Sequence, residues 1–121
     1  MKFRNARHTT DLNIIQSFYQ DILGLELLSC FNNHNGYDGI FLGKQNADWH
    51  LEFTTSDEEP QHTTDEDDCL VFYVSANEYE IIRQRCLETN TPILKAKNPY
   101  WNLNGLVIRD PDDYTIIIAV G

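Results

Sequence analysis

Cationic side chains are scarce: nine Lys and Arg stand against nineteen Asp and Glu, a formal charge of −10. Phosphate backbones and anionic lipid surfaces are held through a positive surface, so this balance argues against sequence-independent binding of nucleic acid or membrane. A neutral or cationic partner fits better. Cysteine is also sparse, and Cys30, Cys69 and Cys86 are far apart with no Cys-x-x-Cys spacing. Neither a thiolate zinc site nor a disulfide framework is suggested, and reduced thiols are expected. The segment Met1–His8 carries positive charge with no apolar run behind it, and no stretch of about eighteen apolar residues occurs anywhere. A soluble, cytoplasmic protein is the expectation. Glycine-rich phosphate loops are missing, which leaves nucleotide cofactors without support. None of Ser17, Ser29, Ser56 and Ser75 sits in a glycine-flanked elbow, so no nucleophile stands out.

What is present is enough apolar material for one compact domain over residues 1–121, at 41% hydrophobic residues. The most informative stretch is Trp49–Thr54. Its alternation puts Trp49, Leu51 and Phe53 on one strand face and His50, Glu52 and Thr54 on the other. One face is built for burial; the other carries a nitrogen base, a carboxylate and a hydroxyl in a row.

Before that strand, residues 3–9 are extended, and Thr10-Asp11 supplies a cap for a helix over 12–23, with an apolar stripe from Ile14 to Leu23 and Gly24 as its terminator. Strands follow at 25–31 and 37–42 around the turn Asn32–Gly36, then at 49–55. An acidic segment with Pro60 has seven carboxylates between Asp57 and Asp68 and reads as a solvated linker. The same order then repeats. A nearly continuous apolar strand at 69–74 reads as buried on both faces. A helix to about Glu88 is expected to be capped by Asn77 with Glu80, and to carry the stripe Tyr79, Ile82, Cys86 and Leu87. Strands at 91–95, 105–109 and 114–120 complete it, with turns at Asn98-Pro99 and Asp110–Asp113. The fold class is therefore α+β, two βαβββ modules spanning about 1–56 and 68–121 across a linker at about 57–67. A helix on one face of each sheet leaves the other faces to meet or to enclose a ligand cleft.

Asp11-Leu12 followed by Phe18-Tyr19-Gln20-Asp21-Ile22-Leu23-Gly24-Leu25 resembles the opening motif of the vicinal oxygen chelate superfamily, which holds glyoxalase I, bleomycin- and fosfomycin-resistance proteins and extradiol dioxygenases. Asp110-Pro111-Asp112-Asp113-Tyr114 resembles its final hairpin, in which glycine usually occupies the position of Asp113. The resemblance covers essentially the whole chain and implies the glyoxalase/bleomycin-resistance fold. It does not fix a function, since one scaffold hosts isomerases, transferases, dioxygenases and non-catalytic drug-sequestering proteins.

The superfamily's metal ligands come from four strands, and the resemblance carries those positions onto Arg4, Glu52, Cys69 and Ile117. A guanidinium has no lone pair to donate, Ile117 has no donor at all, and a thiol is not the usual oxygen or imidazole ligand. One retained carboxylate does not make a catalytic metal site. No cofactor is therefore expected, and Arg4 is expected to pair with Glu52 or to face a ligand carboxylate.

The leading expectation is a small-molecule binding protein without the usual metal centre, acting as a homodimer. Its ligand would be a neutral or cationic organic molecule, held among Arg4, His8, Tyr37, His50, Glu52, Cys69, Tyr73 and the aromatic loop pair Tyr100-Trp101. The alternative is a lyase, isomerase or dioxygenase using one divalent metal ion on a displaced set of His8, His50 and Glu52. A third reading is a non-catalytic interaction protein, and whether the chain is an enzyme is left open. His34 and His62 are expected at the surface.

Overall fold

A computed structural model describes residues 1–121, which divide into two compact units, Met1–His62 and Thr63–Gly121. The first unit opens with β1 (Phe3–His8), which leads into α1 (Leu12–Ser17). Asp11 starts this helix, its carboxylate accepting from the amides of Asn13 (2.9 Å) and Ile14 (3.2 Å). Removing this cap strands two first-turn donors, so Asp11→Ala is expected to cost about 0.5–2 kcal/mol in urea denaturation.

The expected single helix over 12–23 instead widens into a π-helical turn at Phe18–Ile22. There Phe18, Tyr19, Ile22 and Leu23 are all buried, a broader apolar face than a regular helix presents. Gly24, at φ +73°, lets the Leu25 amide reach back to the Tyr19 carbonyl at 2.9 Å.

β2 (Glu26–His34), β3 (Tyr37–Gly43) and β4 (Trp49–Thr55) complete a four-stranded sheet in the order β1-β4-β3-β2, with β1 and β4 parallel. The Asn32–Gly36 turn expected from sequence is shorter. β2 runs on to His34, and Asn35 (φ +53°) with Gly36 (φ +85°) closes a two-residue hairpin. The core of this unit lies on one sheet face. Ile40, Leu42, Leu51 and Phe53 are buried there, and Tyr19 stacks on Phe53 at 5.1 Å between ring centres.

The second unit pairs β5 (Cys69–Val74) parallel to β7 (Thr115–Val120) and β6 (Leu106–Arg109) antiparallel to it, in the order β5-β7-β6. The strand buried on both faces is β7, whose Ile116–Ala119 are at most 3% exposed. β5 is instead an edge strand with Tyr73 64% exposed, because the sequence run cannot reveal which apolar strand takes the centre.

α2 (Ala76–Glu88) is capped by Ser75, not Asn77, since the Ser75 hydroxyl accepts from the Glu78 amide at 3.1 Å. The expected three-residue spacing from cap to glutamate is kept but begins two residues earlier, with the Ser75 hydroxyl also donating to the Glu78 carboxylate at 3.3 Å. Ile82 and Cys86 are buried on this helix as expected, whereas Leu87 is 51% exposed.

The expected strand at 91–95 shrinks to one bridge, Leu94 to Val107. Pro92 supplies no amide, and the Asn102 side chain takes both the Ala96 amide (2.7 Å) and carbonyl (3.0 Å) that a longer ladder would need. Asn98-Pro99 is not a plain turn. Asn98 caps a short helix α3 (Pro99–Asn104), with proline in its first turn, so Tyr100 and Trp101 are helical residues.

The final hairpin keeps its Asp113 in place of glycine at φ +66°. Asp110 makes this possible by accepting from the amides of Asp112 (3.0 Å) and Tyr114 (3.1 Å). No helix is long and apolar enough to cross a membrane.

Candidate functional site

The polar face of the first unit's sheet is assembled by register. β1 sets Arg4 beside His50, Ala6 beside Glu52 and His8 beside Thr54, while β3 sets Phe41 beside Glu52 from the other side. Alternation then keeps Arg4, His50, Glu52 and Phe41 on one face, opposite the core. Gly39 has no side chain because the ring of Phe31 lies where its Cβ would go. This keeps Phe31 flat across β3 and extends the aromatic surface to Phe41, 5.8 Å away.

Arg4 is the centre of this face. Its Nε donates to His50 Nε2 at 2.8 Å, its Nη1 lies 3.6 Å from Glu52 Oε1, and its guanidinium stacks over the Phe41 ring at 4.9 Å. Because His50 accepts at Nε2, its proton resides on Nδ1. Phe41 meets the same imidazole edge-on at 5.7 Å. The Arg4–Glu52 pairing was expected from sequence. His50 as the arginine's acceptor and Phe41 as its platform were not, since both depend on a strand register that only the β3–β4–β1 pairing sets.

His8 belongs to a separate polar group. Its Nδ1 lies 2.8 Å from Thr54 Oγ1 and its Nε2 lies 3.1 Å from both Ser56 Oγ and the Glu58 carbonyl. The Tyr37 ring, half exposed, packs edge-on against it at 5.7 Å. Both imidazole nitrogens are thus engaged away from Glu52. The displaced metal set of His8, His50 and Glu52 is not brought together, and no three His, Cys, Asp or Glu side chains gather to hold a metal ion. His34 is exposed as expected, and exposed His62 tethers the acidic segment by an Nε2 contact of 2.7 Å to the His8 carbonyl.

In the second unit, Cys69 and Tyr73 share a face of β5 with the registers of Thr115, Ile117 and Ala119 on β7. Burial, and then the carboxylates of Asp68 and Asp67, push the Cys69 thiol up from its ordinary pKa, which favours the protonated form over a thiolate ligand. Ile117 is 1% exposed. Tyr100 is exposed and stands edge-on to half-buried Trp101 at 4.8 Å, on α3.

The donor chemistry therefore does not fit the superfamily's divalent metal. The first ligand position holds a fixed cation, and that cation already occupies the lone pair of His50 and balances the charge of Glu52.

Two family models match the chain: the YycE-like N-terminal domain over residues 3–54 and the YycE-like C-terminal domain over residues 67–119. The uncharacterized protein YycE of Bacillus subtilis (strain 168) is 37% identical over 118 residues, covering 96% of this chain and 85% of the relative. A crystal structure of a YycE protein of unknown function from Bacillus subtilis superposes with a TM-score of 0.88 at 35% identity, over 99% of this chain and 89% of that one. Trypanothione-dependent glyoxalase I of Leishmania major shares the fold at a TM-score of 0.74 and 20% identity, over 97% of this chain and 84% of that one. So does the fosfomycin resistance protein FosX of Mesorhizobium loti, at a TM-score of 0.70 and 8% identity, over 98% and 89% of the two chains. With both halves of an α+β chain matched and the glyoxalase-type fold shared along nearly its full length, the protein belongs to the YycE-like family of the vicinal oxygen chelate superfamily.

Proposed function

We propose that the chain binds a small organic molecule on the polar sheet face of its first unit, without a metal ion and without catalysing a reaction. The observation that carries this reading is the Arg4 guanidinium set in the first ligand position, bonded to His50 and facing Glu52. That cluster replaces a metal by a hydrogen-bonding cation. Nε and Nη1 are directed inward, which leaves Nη2 to donate to a carbonyl or other acceptor of a ligand. Phe41, Phe31 and the His50 ring supply a half-buried aromatic surface beside it. A planar molecule with one hydrogen-bond acceptor and little net charge suits this face, because Arg4 and Glu52 balance one another.

The test is a thermal-shift screen of chelator-stripped protein against planar heteroaromatic amides. A binder is expected to raise the midpoint by mass action, and the increase is expected to disappear in Phe41→Ala while that variant's circular dichroism stays native-like. A shift that survives in Phe41→Ala, or a screen in which only added divalent metal stabilises the protein, would overturn the reading.

A further inference from the structure

The second unit holds a cavity of about 260 Å³ that collects an unusual share of positive charge. Lys95, Lys97 and Arg109 all line it, three of the nine cations in the whole chain. Its construction follows from the short bridge between Leu94 and Val107, which lays residues 94–97 alongside β6. In β6 and β7, Arg109 and Thr115 are directly paired, so a guanidinium and a hydroxyl project from neighbouring strands on the same face. Lys95 and Arg109 have no carboxylate partner. Lys97 has only Glu66, at 3.9 Å with both side chains largely exposed, a separation and exposure at which a pair is weak. Glu66 is the one acid lining the cavity, so the lining carries a formal excess of two positive charges.

Cations converging on a recess, in a protein with a formal charge of −10, repel one another unless a counter-charge enters. We infer that this cavity is a binding site for a small oxyanion, the carboxylate or phosphate group of a metabolite. Arg109 offers a planar fork of donors, Lys95 and Lys97 offer point charges, and Thr115 offers a hydroxyl to an oxygen atom. The volume holds such a head group with a few waters. This site does not depend on the first-unit reading and adds an anionic ligand class to it.

The experiment is a titration of 15N-labelled full-length protein, in low salt, with inorganic phosphate in one arm and acetate in the other. Saturable amide shifts confined to residues 94–97, 107–109 and 115 are expected, with a Kd of about 1 mM or below for the better anion. The arm that saturates at the lower concentration identifies the head group as phosphate or carboxylate. Arg109→Gln and Lys95→Gln, made singly at exposed positions, are each expected to weaken binding by about tenfold. Lys2→Gln, at a cation outside the cavity, is expected to leave it unchanged. Unsaturating shifts spread over the surface in both arms, or equal affinity in the wild type and both cavity variants, would overturn the inference.

Discussion

Ile117→Glu is expected to destabilise the protein by about 3–5 kcal/mol at neutral pH, although its resemblance to the superfamily's metal enzymes implies a glutamate ligand at this position. Ile117 is 1% exposed, beside Val107 on β6 and Val71 on β5, so the new carboxylate would meet hydrocarbon on both sides. Burial without a partner disfavours the charged form, so the folded-state pKa of that glutamate would rise above its unfolded value of about 4.3. The sign follows directly: the folded protein then holds a proton that the unfolded chain has released. The penalty is therefore full above the raised pKa and shrinks as pH falls towards the unfolded value. Urea denaturation of wild type and variant at neutral and mildly acidic pH reads both effects, and Ile117→Val, expected to cost about 0.5–1.5 kcal/mol, calibrates the site. A variant as stable as wild type would mean that the position opens onto water or a cation, and the hydrocarbon account of it would be wrong.

The first unit was legible in sequence because its signals are local. Asp11 as a cap, Gly24 as a terminator and the alternation of Trp49–Thr54 each act within a few residues, and each stands where the pattern put it. The second unit was less legible because its deciding interactions are not local. The Asn102 side chain ends the strand that Ile93 and Leu94 promise, and no neighbouring residue announces it. In the same way, an apolar run does not say whether it will lie at the edge, as β5 does, or at the centre, as β7 does. The candidate site divides along the same line. Arg4 and Glu52 could be placed together by resemblance, but the engagement of His50 and Phe41 follows from the parallel β1–β4 register and the antiparallel β3–β4 register.

That register also explains why the chemistry of the polar face can vary without disturbing the fold. The core face of the first sheet is filled by Leu51, Phe53, Ile40 and Leu42, and the residues alternating with them contribute little to that burial. Their side chains are free to change chemistry while the sheet stays intact, so one scaffold can carry different chemistry on this face. The cost falls on charge balance. An arginine on this face needs an acceptor and a counter-ion, and His50 and Glu52 supply one each.

Arg4→His should convert this cluster into a divalent-metal site and raise zinc affinity by about 100-fold or more. A metal held by His50 and Glu52 would lie roughly 2 Å from each donor atom and therefore within roughly 4 Å of the guanidinium. Repulsion between a divalent ion and one unit charge at about 4 Å is roughly 2 kcal/mol in water and roughly 8 kcal/mol at an effective dielectric of about 20. The Arg4 side chain is 51% exposed, which favours the lower figure, and even that is about 30-fold in affinity. Histidine removes the repulsion and adds a third donor on the adjacent strand, directly in register with His50. Arg4→Met separates the two contributions, since it keeps an apolar stem over Phe41 and removes the charge without adding a ligand. Zinc competition with a chromophoric chelator is expected to rank Arg4→His above Arg4→Met and both above wild type. Wild-type protein that binds zinc or manganese stoichiometrically, as tightly as Arg4→His does, would show that the guanidinium does not exclude the ion, and the metal-free reading of this face would fall.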